Sequence, residues 1–245
     1  MTPTPLVLHY APDNASLIVR LALEQLRLPY ETRLIDRAAA EQTSAAYRQL
    51  NPAGLIPVLE TADGPIFETG ATLLWLADTH HALAPAPEHP DRVAFLKWLF
   101  FTSNTLHAGL RTLFYPAKYV GPVPEHQAAL RETMQKALQT HLSLLNELAA
   151  TKPAWLGAAT PSVLDFYLSC CLRWCGIYPR DADRTWFSLA AYRICGIFAS
   201  RLRHCPTQLP RSAQKALAQD HLQRRNAPHP LKEAPPDVPV CIRYV

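Results

Sequence analysis

Strand and helix signals alternate through the first eighty residues of the chain, and then the strand signals stop. Residues 5 to 10 (PLVLHY) read as a buried strand, and 16 to 28 (SLIVRLALEQLRL) as a helix with Leu17, Leu21 and Leu28 on one face, stopped by Pro29. Residues 30 to 36 (YETRLID) alternate like a strand, and the Ala-rich stretch from 38 to 50 reads as helical. Two short strands follow at 56 to 60 and 65 to 68, joined by ADG as a hairpin, and a helix is expected over 69 to 81. The order β-α-β-α-β-β-α leads into ALAPAPEHP, residues 82 to 90, whose prolines mark a linker. Helices are expected beyond it at 91 to 115, 125 to 150, 162 to 178 and 184 to 204. Leu130, Met134, Leu138, His141, Leu145 and Leu148 recur at helical spacing in the second of these. In TPSVLDFYL, Ser162 and Asp165 form an S-x-x-D capping box. The expected domains are 1–82 and the all-helical 91–222, with a Pro-rich tail at 223–245.

Composition narrows the function classes. A net charge of +4 on 245 residues, with no dense basic block, favours small anionic ligands weakly and gives no support for nucleic acid. The N-terminus MTPTPLVLHY lacks the basic and apolar regions of a signal peptide, and no apolar run reaches membrane-spanning length. A cytoplasmic protein with no membrane partner is the expectation. None of the six cysteines forms a C-x-x-C pair. Cys171 and Cys175, four apart, read as small buried hydrophobes rather than ligands. His80, His81 and His89 lack carboxylates at ligand spacing, so no metal is assigned.

The stretch LNPAGLIPVLETADGPIFETGATLLWLAD, residues 50 to 78, carries the chemistry. Pro57 opens a strand behind the bulky Ile56. A cis bond there turns the Ile56 backbone groups toward an extended peptide ligand, whereas a trans bond makes an ordinary strand start; the sequence leaves both open. Glu68 and Thr69 sit at a strand-to-helix junction. With Thr69 as N-cap, the N–H groups of Gly70 and Ala71 favour a carboxylate and Glu68 an ammonium, the two ends of an α-amino acid. The competing reading is a plain cap beside a solvated acid.

The combination of N-P-A-G-L-I-P-V-L, a hairpin, E-T-G-A-T-L-L-W-L-A and the P-S-V-L-D-F-Y-L stretch resembles the glutathione transferase family over roughly residues 5 to 205. That resemblance implies a thioredoxin-like α/β N-terminal domain that binds glutathione, an all-α C-terminal domain that holds the second substrate, and a homodimer. Ile56 and Pro57 are then expected against the cysteinyl backbone, and Glu68 and Thr69 at the γ-glutamyl end. LHYAPDNASLIVRLALE looks most like the bacterial beta class, whose pattern Y-x-P-x-A-C-S has Ala15 here at its cysteine position. WLFFTSNTLHAGL resembles the beta-class helix, with Phe100 where an asparagine is expected; Asn104 and His107 complete the implied glutathione contacts. Arg37 is the nearest candidate for a basic residue after the second strand.

The implied chemistry needs a thiolate. A free thiol with pKa ~8.5 is only about 3% ionised at pH 7, so the site must stabilise the anion. Ser16, Asn14 and Tyr10 are the donors within reach of the first helix, with Ser16 the first choice. Phe101, Tyr115, Tyr119 and Trp174 are the expected walls for a small hydrophobic electrophile. Transfer of glutathione to such a compound is the leading function. A glutathione-dependent disulfide or peroxide reductase and a non-catalytic binding module are the alternatives.

Overall fold

The structure, a computed structural model, describes residues 5 to 178 together with 186 and 187. The helix expected at 184 to 204 and the Pro-rich tail fall essentially outside them. The described chain divides into two compact units, the first ending at Pro87 and the second starting at Glu88.

The first unit contains β1 (Leu6–Tyr10), α1 (Ser16–Gln25), β2 (Tyr30–Leu34), α2 (Ala45–Leu50), β3 (Val58–Thr61), β4 (Gly64–Ile66) and α3 (Thr69–Thr79). The sheet order is β2-β1-β3-β4. β1 runs parallel to β2 with Leu8 opposite Thr32, and antiparallel to β3 with Leu8 opposite Leu59. β3 and β4 close the antiparallel hairpin. This is the thioredoxin-like arrangement that the resemblance leads one to expect.

β1 is central and covered on both faces, which is why PLVLHY reads as continuously apolar apart from one histidine. Leu8 and His9 are both fully buried although they point to opposite faces. His9 lies edge-on to Tyr47 of α2, with ring centroids 5.9 Å apart, and Tyr47 packs with Ile35 and Val58. α1 and α3 pack against each other.

One element departs from expectation. The Ala-rich stretch 38 to 50 is not one helix. Asp36 Oδ1 accepts the N–H groups of Ala38 and Ala39 at 2.9 and 3.1 Å, and Ala40 adopts a left-handed φ of 54°. A short 3-10 turn (Glu41–Thr43) follows, and α2 begins only after Ser44, whose Oγ accepts from the Tyr47 N–H at 3.1 Å. Side-chain oxygens at Asp36 and Ser44 offer the backbone alternatives that the helix propensity of alanine does not outweigh.

The second unit contains α4 (Arg92–Phe101), a π-helical turn (Thr102–His107), α5 (Ala108–Phe114), α6 (Ala117–Val120), α7 (Pro124–Ala150) and α8 (Val163–Ile177). The single helix expected over 91 to 115 is thus widened in its middle, at a segment bearing Asn104 and His107. Gly109 lets α5 approach α7 closely, since a Cβ there would lie 3.1 Å from Leu138 Cδ2. Along α7, Leu138, Leu142, Leu145 and Leu148 are buried.

The capping box of α8 is complete. Ser162 Oγ accepts from the Leu164 and Asp165 N–H groups, while Asp165 Oδ2 accepts from the Ser162 N–H at 2.7 Å. Asp165 Oδ1 also takes the Gly157 N–H at 2.8 Å, tying the preceding loop to the helix. Asp165→Ala leaves two N–H groups unpaired and is expected to cost roughly 2 to 4 kcal/mol, against about 1 kcal/mol for Ser162→Ala. Denaturant unfolding of the two variants checks the order; equal losses would mean that the Gly157 bond adds nothing.

Candidate glutathione site

The loop between α2 and β3 is built on one carbonyl. Asn51, almost fully buried, donates from Nδ2 to the Leu55 C=O at 2.8 Å, and the Tyr47 hydroxyl donates to the same oxygen at 3.0 Å. Asn51 Oδ1 accepts from the Ala53 N–H, and the Asn51 C=O accepts from the Gly54 N–H at 2.9 Å. Burial, and then the charge of Glu41, push the Tyr47 hydroxyl well above its ordinary pKa, so it keeps the proton it donates. Gly54 has φ +63°, and a Cβ there would meet the Gln42 carbonyl oxygen at 2.9 Å, so the N-P-x-G spacing is a steric requirement. The loop delivers Ile56 to a cis bond with Pro57. β3 begins at Val58, so Ile56 stands outside the sheet ladder.

At the start of α3 the cap differs from expectation. Glu68, not Thr69, occupies the N-cap; Thr69 is the first helical residue and is buried. Glu68 holds φ 69° and ψ 112°, a backbone conformation that costs a non-glycine residue on the order of 1 to 3 kcal/mol. Its carbonyl accepts from the Thr72 N–H and Oγ1 at 2.9 and 3.0 Å, while its exposed side chain makes no cap hydrogen bond. Among the described residues the carboxylate has no hydrogen-bond or ion-pair partner, and it lies at the positive end of an eleven-residue helix.

Ser16 is the first residue of α1. Its hydroxyl is buried, donates to the Ala11 C=O at 3.1 Å and accepts the Ala11 N–H at 3.4 Å. Ser16 closes the loop from β1 to α1, and its proton is directed inward. Asn14 precedes the N-cap Ala15; its Oδ1 accepts the Ser16 N–H at 3.1 Å and its C=O the Leu17 N–H. Asn14 itself is partly exposed. Tyr10 ends β1 with its ring under the Arg20 guanidinium, 6.0 Å from centroid to Cζ. Arg37 lies exposed in the turn after β2.

In the helical unit, His107 Nδ1 is hydrogen-bonded to the Tyr167 hydroxyl at 2.9 Å, and the ring stacks at 41° on Trp174, 5.1 Å away. Trp174 is buried, whereas Asn104 is exposed. Phe101 makes its ring contacts with Trp98 and His141 instead. Tyr115 and Tyr119 are exposed, and each carries a cation on its ring, Lys118 and Arg111 respectively. The four expected walls thus fall into separate groups. Sequence reasoning missed Tyr47 and Asn51 as loop anchors, although the N-P-x-G motif begins with the second. The buried Cys170, Cys171 and Cys175 are free thiols, and burial pushes Cys171 well above its ordinary pKa.

A sequence profile of the glutathione S-transferase N-terminal domain matches residues 15–79. Glutathione S-transferase GST-4.5 of Xanthomonas campestris pv. campestris is 28% identical over 68% of this chain and 81% of its own. Disulfide-bond oxidoreductase YfcG of Escherichia coli K12 is 27% identical over 81% of this chain and 90% of its own. Among solved structures, a sphingomonad glutathione S-transferase complexed with glutathione superposes with TM-score 0.68 at 27% identity, over 88% of this chain and 99% of that one. Residues 15–79 thus match a glutathione S-transferase N-terminal domain, and the chain as a whole is similar to glutathione S-transferases.

Burial first, and Arg111 second, lower the His107 pKa from 6.5 to about 4. The ring is therefore neutral across the physiological range. The unfolded chain binds this proton more readily than the folded one, so the histidine erodes stability as pH falls from about 6.5 toward 4. NMR titration is expected to find His107 uncharged down to about pH 5, with Arg111→Gln raising its pKa. A midpoint near 6.5 in the folded protein would contradict its enclosure by Tyr167 and Trp174.

Proposed function

We propose that this protein is a glutathione transferase in which Asn14 supplies the hydrogen bond that activates the thiol. Glutathione is the co-substrate, no metal takes part, and the second substrate is a small electrophile. The observation that carries the reading is the juxtaposition at the α3 terminus: a strained Glu68, whose carboxylate has no partner among the described residues, at the positive end of the helix. An α-amino acid end complements it, the ammonium against Glu68 and the carboxylate against the N-terminus of α3 at Thr69. The backbone of Ile56, beyond the ladder and ahead of Pro57, takes the cysteinyl residue as a short added strand. The match to the family's N-terminal domain supports this orientation of the ligand.

The thiolate lies in this reading at the N-terminus of α1. Asn14 Nδ2 donates to it, the helix dipole adds a favourable potential, and Ser16 and Tyr10 shape the loop that holds Asn14. The thiolate attacks the electrophilic carbon, the carbon–sulfur bond forms, and the leaving group departs with its electron pair. Asn104 and His107 remain further candidates for contact with glutathione. His107 in that role acts as a neutral ring. We also propose a homodimer, expected to scatter light at twice the chain mass, and a cytoplasmic location in the service of detoxification.

A second reading, reduction of disulfides with glutathione as the electron donor, is favoured by one observation. The position of the beta-class cysteine is Ala15, and the described cysteines are buried, so no described protein thiol competes for a mixed disulfide. The name of the YfcG relative agrees with it. Parallel assays with 1-chloro-2,4-dinitrobenzene and 2-hydroxyethyl disulfide separate the two readings.

Two variants test the site. Glu68→Ala removes the partner of the ammonium and is expected to weaken glutathione binding by roughly 1.5 to 3 kcal/mol in calorimetry. Unchanged affinity would remove Glu68 from the site. Asn14→Ala is expected to lower turnover on the order of 100-fold and to raise the pKa of the bound thiol, read from the ultraviolet absorbance of the thiolate. Ser16→Ala, which breaks only the inward bonds to Ala11, is expected to leave that titration unmoved. The opposite ranking would return the role to Ser16.

A further inference from the structure

One carbonyl in the loop before β3 has more donors than it needs. The Leu55 C=O receives both Asn51 Nδ2 at 2.8 Å and the Tyr47 hydroxyl at 3.0 Å. One donor satisfies a carbonyl; two from different residues use both lone pairs and restrain its direction. That direction matters beyond Leu55. The Leu55 C=O and the Ile56 N–H belong to one planar trans peptide unit, so the N–H points opposite to the C=O. Holding the oxygen between Tyr47 and Asn51 therefore aims the Ile56 N–H away from both. Among the described residues that N–H has no acceptor.

Tyr47 is itself held from several sides. Its backbone N–H donates to Ser44 Oγ at 3.1 Å, and its ring packs with Ile35 and Val58 in a cluster against which the Ile56 side chain also lies. From β1, His9 meets the ring edge-on with centroids 5.9 Å apart, and His9 is in turn bonded to Glu60 of β3 at 2.6 Å. Burial first, and Glu41 second, hold the hydroxyl well above its ordinary pKa, so it stays a donor. Buried tyrosines commonly bond a carbonyl only to satisfy their own hydroxyl. The arrangement here does more. Asn51 already satisfies this oxygen, and Tyr47 holds the Leu55–Ile56 unit twice, by its hydroxyl at the carbonyl and by its cluster at the Ile56 side chain. We propose that Tyr47 is a positioning residue, which through the Leu55 carbonyl aims the Ile56 N–H at the cysteinyl carbonyl of the bound peptide. The inference rests on the reading of the site as a glutathione cradle and adds to it a residue that touches no ligand. Without the hydroxyl, Asn51 alone holds the oxygen, the peptide plane is freer to rock, and the N–H loses part of its alignment.

Calorimetry with glutathione and with γ-glutamylcysteamine tests the role, because the second compound keeps the γ-glutamyl end and the thiol but lacks the cysteinyl carbonyl. Tyr47→Phe keeps the ring and removes only the hydroxyl. It is expected to weaken glutathione about 5-fold and to leave γ-glutamylcysteamine unchanged, whereas a general loosening of the unit weakens both alike. In the wild-type protein the Ile56 amide proton is expected to move downfield in NMR with glutathione and not with γ-glutamylcysteamine. Equal glutathione affinity in Tyr47→Phe and wild type, an equal loss for the two compounds, or an Ile56 amide that responds to both in the same way would overturn the role of Tyr47 and leave the glutathione site standing. Wild-type protein that binds neither compound would remove the site itself, and this inference with it.

Discussion

A fully buried histidine in the central strand is the constraint on which the first unit turns. His9 cannot sit in the middle of a sheet covered on both faces without partners, because an unpaired polar ring there is costly. Its Nε2 lies 2.6 Å from Glu60 Oε1 on the neighbouring strand, which ties the apolar core to the more exposed side of β3. Its ring edge sets the position of Tyr47, and the Tyr47 hydroxyl in turn holds the Leu55 carbonyl. The path from β1 to the backbone ahead of Ile56 is therefore a series of short contacts. A substitution at His9 would be felt in the loop although it touches no ligand.

The candidate site gathers three chain segments that each solve a local backbone problem. The loop after β1 is closed by Ser16, whose N–H is taken by Asn14. The loop before β3 is held by Asn51 and relieved of a clash by Gly54. The junction before α3 places a strained glutamate at the N-cap. Polar groups that complete these devices are engaged within the loops; in the proposed reading Asn14, the Ile56 backbone and the Glu68 carboxylate are the ones that meet the ligand. In that reading the serine beside the helix start is structural, while the asparagine two places earlier carries the chemistry.

The helical unit shows a different economy of charge. His107 is kept neutral by enclosure between Tyr167 and Trp174 and by the nearby Arg111, whereas the cations of the α5–α6 corner rest on tyrosine faces. The two arrangements share Arg111, so a change in the charge at the corner would reach the histidine. Tyr115 and Tyr119, expected from the resemblance as apolar walls, present instead a surface of mixed aromatic and cationic character.

The sequence by itself determined the order of the described elements of the first unit, the hairpin turn at ADG, the start of α8 and the place of the Ile56–Pro57 and Glu68–Thr69 pairs. These depend on local chemistry: a proline, a glycine, a serine three residues ahead of an aspartate. Tertiary structure decided the rest. That the Ser16 hydroxyl is engaged depends on the Ala11 backbone, whose position is set by the end of β1 and not by any residue near the helix. The break in the Ala-rich stretch came from Asp36 and Ser44 competing for backbone N–H groups, a contest that composition does not reveal. The grouping of His107 with Tyr167 and Trp174, and of Phe101 with His141, required helices brought together from distant parts of the chain. Helical periodicity gives the face on which a side chain lies, but only packing chooses its neighbours.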